Sequence, residues 1–118
     1  MNPIDALRQA ATVEALTPDP WKLRCLRELR GVKQHALGQF VGWAVTAHSC
    51  PTISRIENYS ISFGLVRSAE LAKALGVEPD SLLSTTSEYE SNRATFHRWS
   101  NGPTPLRSFL LSEAERSR

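Results

Sequence analysis

The chain has 118 residues, of which 41% are hydrophobic and 22% charged, with a formal net charge of +2. That is ordinary globular composition and excludes a chain disordered throughout. No apolar run approaches the ~18 residues a membrane span needs. The opening "MNPIDALRQAATVEAL" carries acidic residues and no continuous apolar core, unlike a secretory signal, so a cytoplasmic protein is expected.

Residues 3–16 read as a helix, with Asn2 as its cap, Pro3 in its first turn and Ile4, Leu7, Ala11 and Ala15 on one stripe. "TPDP" breaks it. "WKLRCLRELRG" predicts a second helix that buries Trp21, Leu23, Cys25, Leu26 and Leu29 and leaves Lys22, Arg24, Arg27 and Arg30 outside. Gly31 stops it. A third helix over about 33–41 turns Ala36, Leu37, Phe40 and Val41 inward, and Gly42 ends it.

"GWAVTAHS" has no periodicity that assigns it. Ser49 then stands where a helix cap would be, and Pro51 falls in the first turn, where its missing N–H costs nothing. Ile53 and Ile56 face inward, Thr52, Ser54 and Arg55 face outward, and Asn58 ends this short helix. A helix over 65–75 is expected to bury Leu65, Val66, Ala69, Ala72 and Leu75, with Gly76 as its cap. "VEPDSLL" gives a last short helix with Leu82 and Leu83 packing back.

From Ser84 a Ser/Thr-rich linker is expected. Beyond it "RATFHRW" and "PLRSFLL" flank "SNGPT". Asn-Gly between β-prone runs favours a hairpin. The helical spacing of Leu106, Phe109 and Leu110 favours a helix over 105–116. "ERSR" is expected to fray.

The two cysteines, Cys25 and Cys50, make no disulfide framework. Without a Cys-x-x-Cys pair, neither they nor His35 and His48 have the spacing of a metal site, so no metal and no cofactor are expected. There is no phosphate-binding Gly-rich loop and no nucleophile or carboxylate constellation, so no enzymatic activity is expected. Charge is uneven. Residues 21–57 hold six basic side chains, Lys22, Arg24, Arg27, Arg30, Lys33 and Arg55, against Glu28 and Glu57. That concentration suits a polyanionic partner.

The blocks "LRELRGVKQHALGQFVG", "SCPTISRIEN" and "LAKALGVEPDSLL" together resemble the Xre/Cro family of bacterial and phage repressors over about residues 22–83. Leu26-Arg27-Glu28-Leu29-Arg30, Gln34 and Leu37, Ser49, Thr52 to Ser54, Ile56-Glu57 and Leu71 to Val77 carry the match. Two departures stand out: Gly38 where the family usually has Ala, and a turn between Gly42 and Thr52 several residues longer than usual. The resemblance implies an all-α, five-helix lambda-repressor-like helix-turn-helix domain over 21–83. An N-terminal helical arm over 1–20 and a C-terminal extension over 84–118 flank it.

It further implies that the helix at 50–58 enters the major groove of a palindromic double-stranded DNA operator. Cys50, Pro51, Thr52 and Arg55 then read bases, Arg55 because its fork matches guanine N7 and O6. Lys33, Gln34, His35, Ser49, Ser54 and Asn58 are candidates for the phosphate backbone. Trp43 is expected either to anchor the long turn or to make a contact. Repressors of this type bind as homodimers, and Phe96, Trp99, Leu106, Phe109 and Leu110 are the expected dimerisation or partner-binding residues; the alternative is an extension folded back onto its own domain. A chain cut after Leu83 is then expected to stay folded. The expected function is transcriptional regulation. An antitoxin, whose terminal arm masks a toxin while the helix-turn-helix controls its own operon, is the alternative.

Overall fold

The structure, a computed structural model, describes residues 16–116. The N-terminal helix expected over 3–16 lies outside the described residues except for Leu16, which opens a strand. The elements are β1 (Leu16–Pro18), α1 (Pro20–Leu29), α2 (Gln34–Phe40), α3 (Pro51–Glu57) and α4 (Leu65–Leu75). A 3-10 turn (Pro79–Leu82), β2 (Leu83–Thr85), α5 (Thr86–Ser100) and α6 (Leu106–Arg116) follow. β1 and β2 pair antiparallel, with Leu16 opposite Thr85, Thr17 opposite Ser84 and Pro18 opposite Leu83. The fold is therefore mostly helical with a small two-stranded sheet, where an all-α chain was expected. No helix among the described residues is long and apolar enough to cross a membrane.

α1 starts at a buried carboxylate. Asp19 is its cap, accepting from Trp21 N–H at 2.9 Å, with Pro20 at the first helical position. Its other oxygen accepts from the Ser84 hydroxyl at 2.6 Å and the Asn92 amide at 2.8 Å. The Asp19 N–H donates to the Leu82 carbonyl at 2.8 Å. One residue thus ties the start of α1 to β2 and α5. This corrects the expected linker at Ser84: Ser84 is buried in the sheet, and Thr85 caps α5 through a capping box with Glu88.

α1 is apolar on two sides because it lies between two cores. The first joins Leu23 to Leu37, Cys50, Ile53, Ile56, Phe63, Leu71, Ala72, Leu75 and Leu82. The second joins Trp21 to Phe96 and Leu106, with Cys25, Tyr59, Trp99, Phe109 and Leu110 packed against them. Burial pushes the Cys25 thiol up to about 12, so it is not a nucleophile near neutrality. Arg24 and Arg27, expected outside, are buried, whereas Leu29 is exposed. The stripe that brings both arginines to α3 rotates Leu29 into solvent.

α4 differs in the same way. Ser68, Leu71, Ala72 and Leu75 form its buried stripe, while Leu65, Val66 and Ala69 are exposed. In α2 Leu37 is buried and Phe40 largely exposed. Helices, not a hairpin, follow Ser84, as the spacing of Leu106, Phe109 and Leu110 suggested.

The five residues expected at a dimer interface are thus engaged within the chain. Trp21 meets Phe96, Trp99 and Phe109 with ring centroids 6.3, 5.9 and 6.3 Å away. Such aromatic pairs contribute about 0.5–1.5 kcal/mol each beyond their buried area. A chain cut after Leu83 would lose these partners and strip Asp19 of Ser84 and Asn92. It should be destabilised by at least ~3 kcal/mol, since bonds to a buried charge are worth ~1.5–3 kcal/mol each. Chemical denaturation of full-length and truncated chains measures this; equal midpoints would show the extension to be a mere appendage.

Candidate nucleic-acid interface

α3 is only seven residues long, and its inward side is closed. Ile53, Ile56 and Glu57 have no exposed surface. Glu57 is the charged member. Arg27 grips it with Nε to Oε2 at 2.7 Å and Nη2 to Oε1 at 2.8 Å. Gln34 donates to Oε1 at 3.0 Å, and Arg24 Nε approaches the same oxygen at 3.8 Å. Burial pulls the Arg27 guanidinium down, but the bonds and charge of Glu57 more than reverse this and hold it above its usual value. Arg24 has no hydrogen bond on Nε, and burial lowers it against the pull of Glu57. Its guanidinium lies 4.9 Å from the Trp99 ring and donates to Asn58 Oδ1 at 2.9 Å.

The outward side holds part of the expected set. Pro51 and Arg55 are exposed and Thr52 is half-buried. The Arg55 guanidinium and the Lys33 ammonium have no partner among the described residues. Cys50 does not join them. It is fully buried, and it, not Ser49, occupies the cap position, because Pro51 is already the first helical residue. No side chain caps α3. Ser49 instead closes a turn with Thr46: its N–H donates to Thr46 Oγ1 at 3.0 Å, and the two hydroxyls lie 3.0 Å apart.

Several backbone candidates are engaged inside the chain. Gln34 is held by Glu57. Asn58 accepts from Arg24 and donates to Ser54 Oγ at 3.4 Å. His35 is half-buried, with Nδ1 buried and unpartnered among the described residues. The long turn is anchored by Trp43, which is half-buried on the first core and donates its N–H to the Gly38 carbonyl at 2.8 Å. The Arg67 guanidinium lies 5.4 Å from its ring.

Gly38 now has a reason. A Cβ there would lie 2.6 Å from Cys50 Sγ, 2.8 Å from Cys50 Cβ and 2.9 Å from Val45 Cγ1. The turn therefore brings Cys50 onto the bare backbone of α2. Sequence reasoning missed two further residues. Asp19 had a visible signal, a cap residue before Pro. Arg107 had none; its Nη2 donates to the Glu28 carbonyl at 2.9 Å, a contact made 79 residues away in sequence.

Two substitutions test this construction. Glu57→Ala should cost ~3–5 kcal/mol, because Arg27 stays buried without its partner; a loss below ~1 kcal/mol would refute the hub. Gly38→Ala should cost ~1–3 kcal/mol through overpacking against Cys50, despite a helix-propensity gain of ~1 kcal/mol. Denaturant midpoints read both, and a midpoint raised by Gly38→Ala would show that Cys50 can move aside.

The arrangement offers a short, firmly seated helix whose outer face carries a guanidinium with no partner among the described residues, beside an ammonium at the start of α2 that likewise has none among them. Comparisons with protein-family models, with curated proteins and with solved structures returned no match, so the functional reading rests on this geometry and on the sequence blocks.

Proposed function

We propose that the chain is a sequence-specific double-stranded DNA-binding regulator whose α3 enters the major groove. The observation that carries this is the two-sidedness of α3. Ile53, Ile56 and Glu57 are locked inward while Pro51 and Arg55 are exposed, Arg55 with no partner among the described residues. An unpaired Arg on a short helix is suited to a guanine edge, where its fork makes two bonds. Thr52 offers a methyl and a hydroxyl one turn earlier. Lys33 is suited to a phosphate. Repression as a dimer remains part of the proposal, with an interface other than the second core. Phe40, Leu65 and Val66, all largely exposed on α2 and α4, are apolar surface left for a second copy.

Selection of bound duplexes from a random pool tests the reading, and an inverted repeat among them is expected. Affinity should fall by orders of magnitude between about 50 and 200 mM salt if a handful of phosphates are contacted per subunit. Arg55→Ala should cost ~1–3 kcal/mol on the selected site and relax one base position. Lys33→Ala should weaken all duplexes alike. Gln34 is a poorer probe, because its loss also disturbs Glu57. A uniform loss with Arg55→Ala would remove Arg55 from the base readers.

A further inference from the structure

An open cavity of about 400 Å³ lies where the end of α1, the start of α2, the approach to α3 and the first turn of α6 meet. Lys33, His48 and Arg107 line it from three separate segments, and Arg24, Arg27 and Glu28 line it from α1. The cations outnumber the one lining acid, and Glu28 already accepts from Arg27 Nη2 at 3.2 Å. Arg27 is committed to Glu57. Lys33 has no partner among the described residues, and Arg107 uses one of its five N–H donors on the Glu28 carbonyl. Lys33, His48 and Arg107 are all exposed, so the cavity is open to a polymer rather than closed around a small molecule.

Arg107 also sits where the stability of its own helix alone would not put it. A cation in the first turn of α6 opposes that helix's own dipole, and here it is set against the carbonyl end of α1. We propose that this cavity receives one backbone phosphate of a bound duplex, gripped between Lys33 and Arg107, so that the C-terminal helix α6 is part of the DNA-contacting surface. The inference rests on the DNA-binding reading above and adds to it a role for the extension. A phosphate diester presents two oxygens with one shared charge, which two cations lining one open cavity can meet. His48 supplies a further ring nitrogen at the rim.

The test compares full-length protein with Arg107→Gln, Arg107→Lys and Arg98→Gln, on a selected duplex and a scrambled one, across about 50–200 mM salt. Arg98 lies on α5 and pairs with Glu113 at 3.2 Å, outside the cavity. Removing one of the two cations on this phosphate should lower the log–log salt slope by up to about 0.9 per bound subunit, so that wild type loses up to about threefold more affinity per subunit over this range than Arg107→Gln. Both duplexes should respond alike, because a phosphate carries no base information. Arg107→Lys should keep most of the slope, and Arg98→Gln all of it. Thermal unfolding checks that Arg107→Gln is folded; if it is not, Arg107→Met, which keeps the aliphatic stem, takes its place. A wild-type slope in the charge-removing variant, with DNA binding intact, overturns the proposal and leaves the DNA reading standing. Absence of DNA binding by wild type at any salt overturns both.

Discussion

The buried carboxylate of Glu57 is the constraint on which the rest of the molecule depends. A desolvated carboxylate is tolerable only if cationic and hydrogen-bond partners are already in position. Arg27 must therefore come from α1 and Gln34 from α2, and both must arrive at the last turn of α3. That requirement sets the rotation of α1, turns Leu29 outward and draws Arg24 beneath the surface. Arg24 and Arg27 then no longer count as free charge. The basic stretch at 21–57 is in part an internal electrostatic device, and the cations left for a partner are fewer than its composition suggests.

α1 pays for being gripped on one side by needing cover on the other. Its second side carries Trp21 and Cys25, and the extension, together with Tyr59, supplies the apolar surface that meets them. Asp19 reinforces the arrangement, since a buried cap with partners on β2 and α5 is fully satisfied only when that extension is docked. Tyr59 closes the circuit. It follows α3 in a left-handed conformation (φ 61°), which costs a non-glycine residue roughly 1–2 kcal/mol. Its ring lies 4.9 Å from Phe96 and 5.9 Å from Tyr89. A glycine would relieve the backbone but remove the ring contacts that join the end of α3 to α5.

Much of the helical layout could be read from local signals. Pro51 beside inward Ile53 and Ile56 located α3, Gly76 marked the end of α4, and the spacing of Leu106, Phe109 and Leu110 pointed to α6. What could not be read depended on partners distant in sequence. Nothing local distinguishes Arg27, which is buried, from Arg30, which is exposed. Nothing near Ser84 announces that Asp19 awaits it 65 residues earlier. The strands are three residues each, too short for an alternating pattern to appear. At the candidate interface, the exposure of Arg55 and Lys33 could be expected from their chemistry alone. Cys50 could not, because its burial follows from a single missing methyl group on α2.

That missing group bears on how α3 is held. Seven residues are too few for a helix to be stable by itself, so its direction is set by its attachments. At its start, Cys50 sits against Gly38, closer than any side chain there would permit. At its end, Glu57 is gripped by two other helices and Tyr59 by the extension. Between these fixed ends, Ile53 and Ile56 take up the inner face. The longer turn from Gly42 to Ser49 therefore need not loosen the helix it precedes. Trp43 pins the turn near its beginning and Cys50 at its end, and the stretch between them bends at the surface, where Thr46 and Ser49 bond each other. A long turn and a firmly seated helix are compatible here because Gly38 and Cys50 fit one another: the glycine makes room for the sulfur, and the sulfur fills the room the glycine leaves.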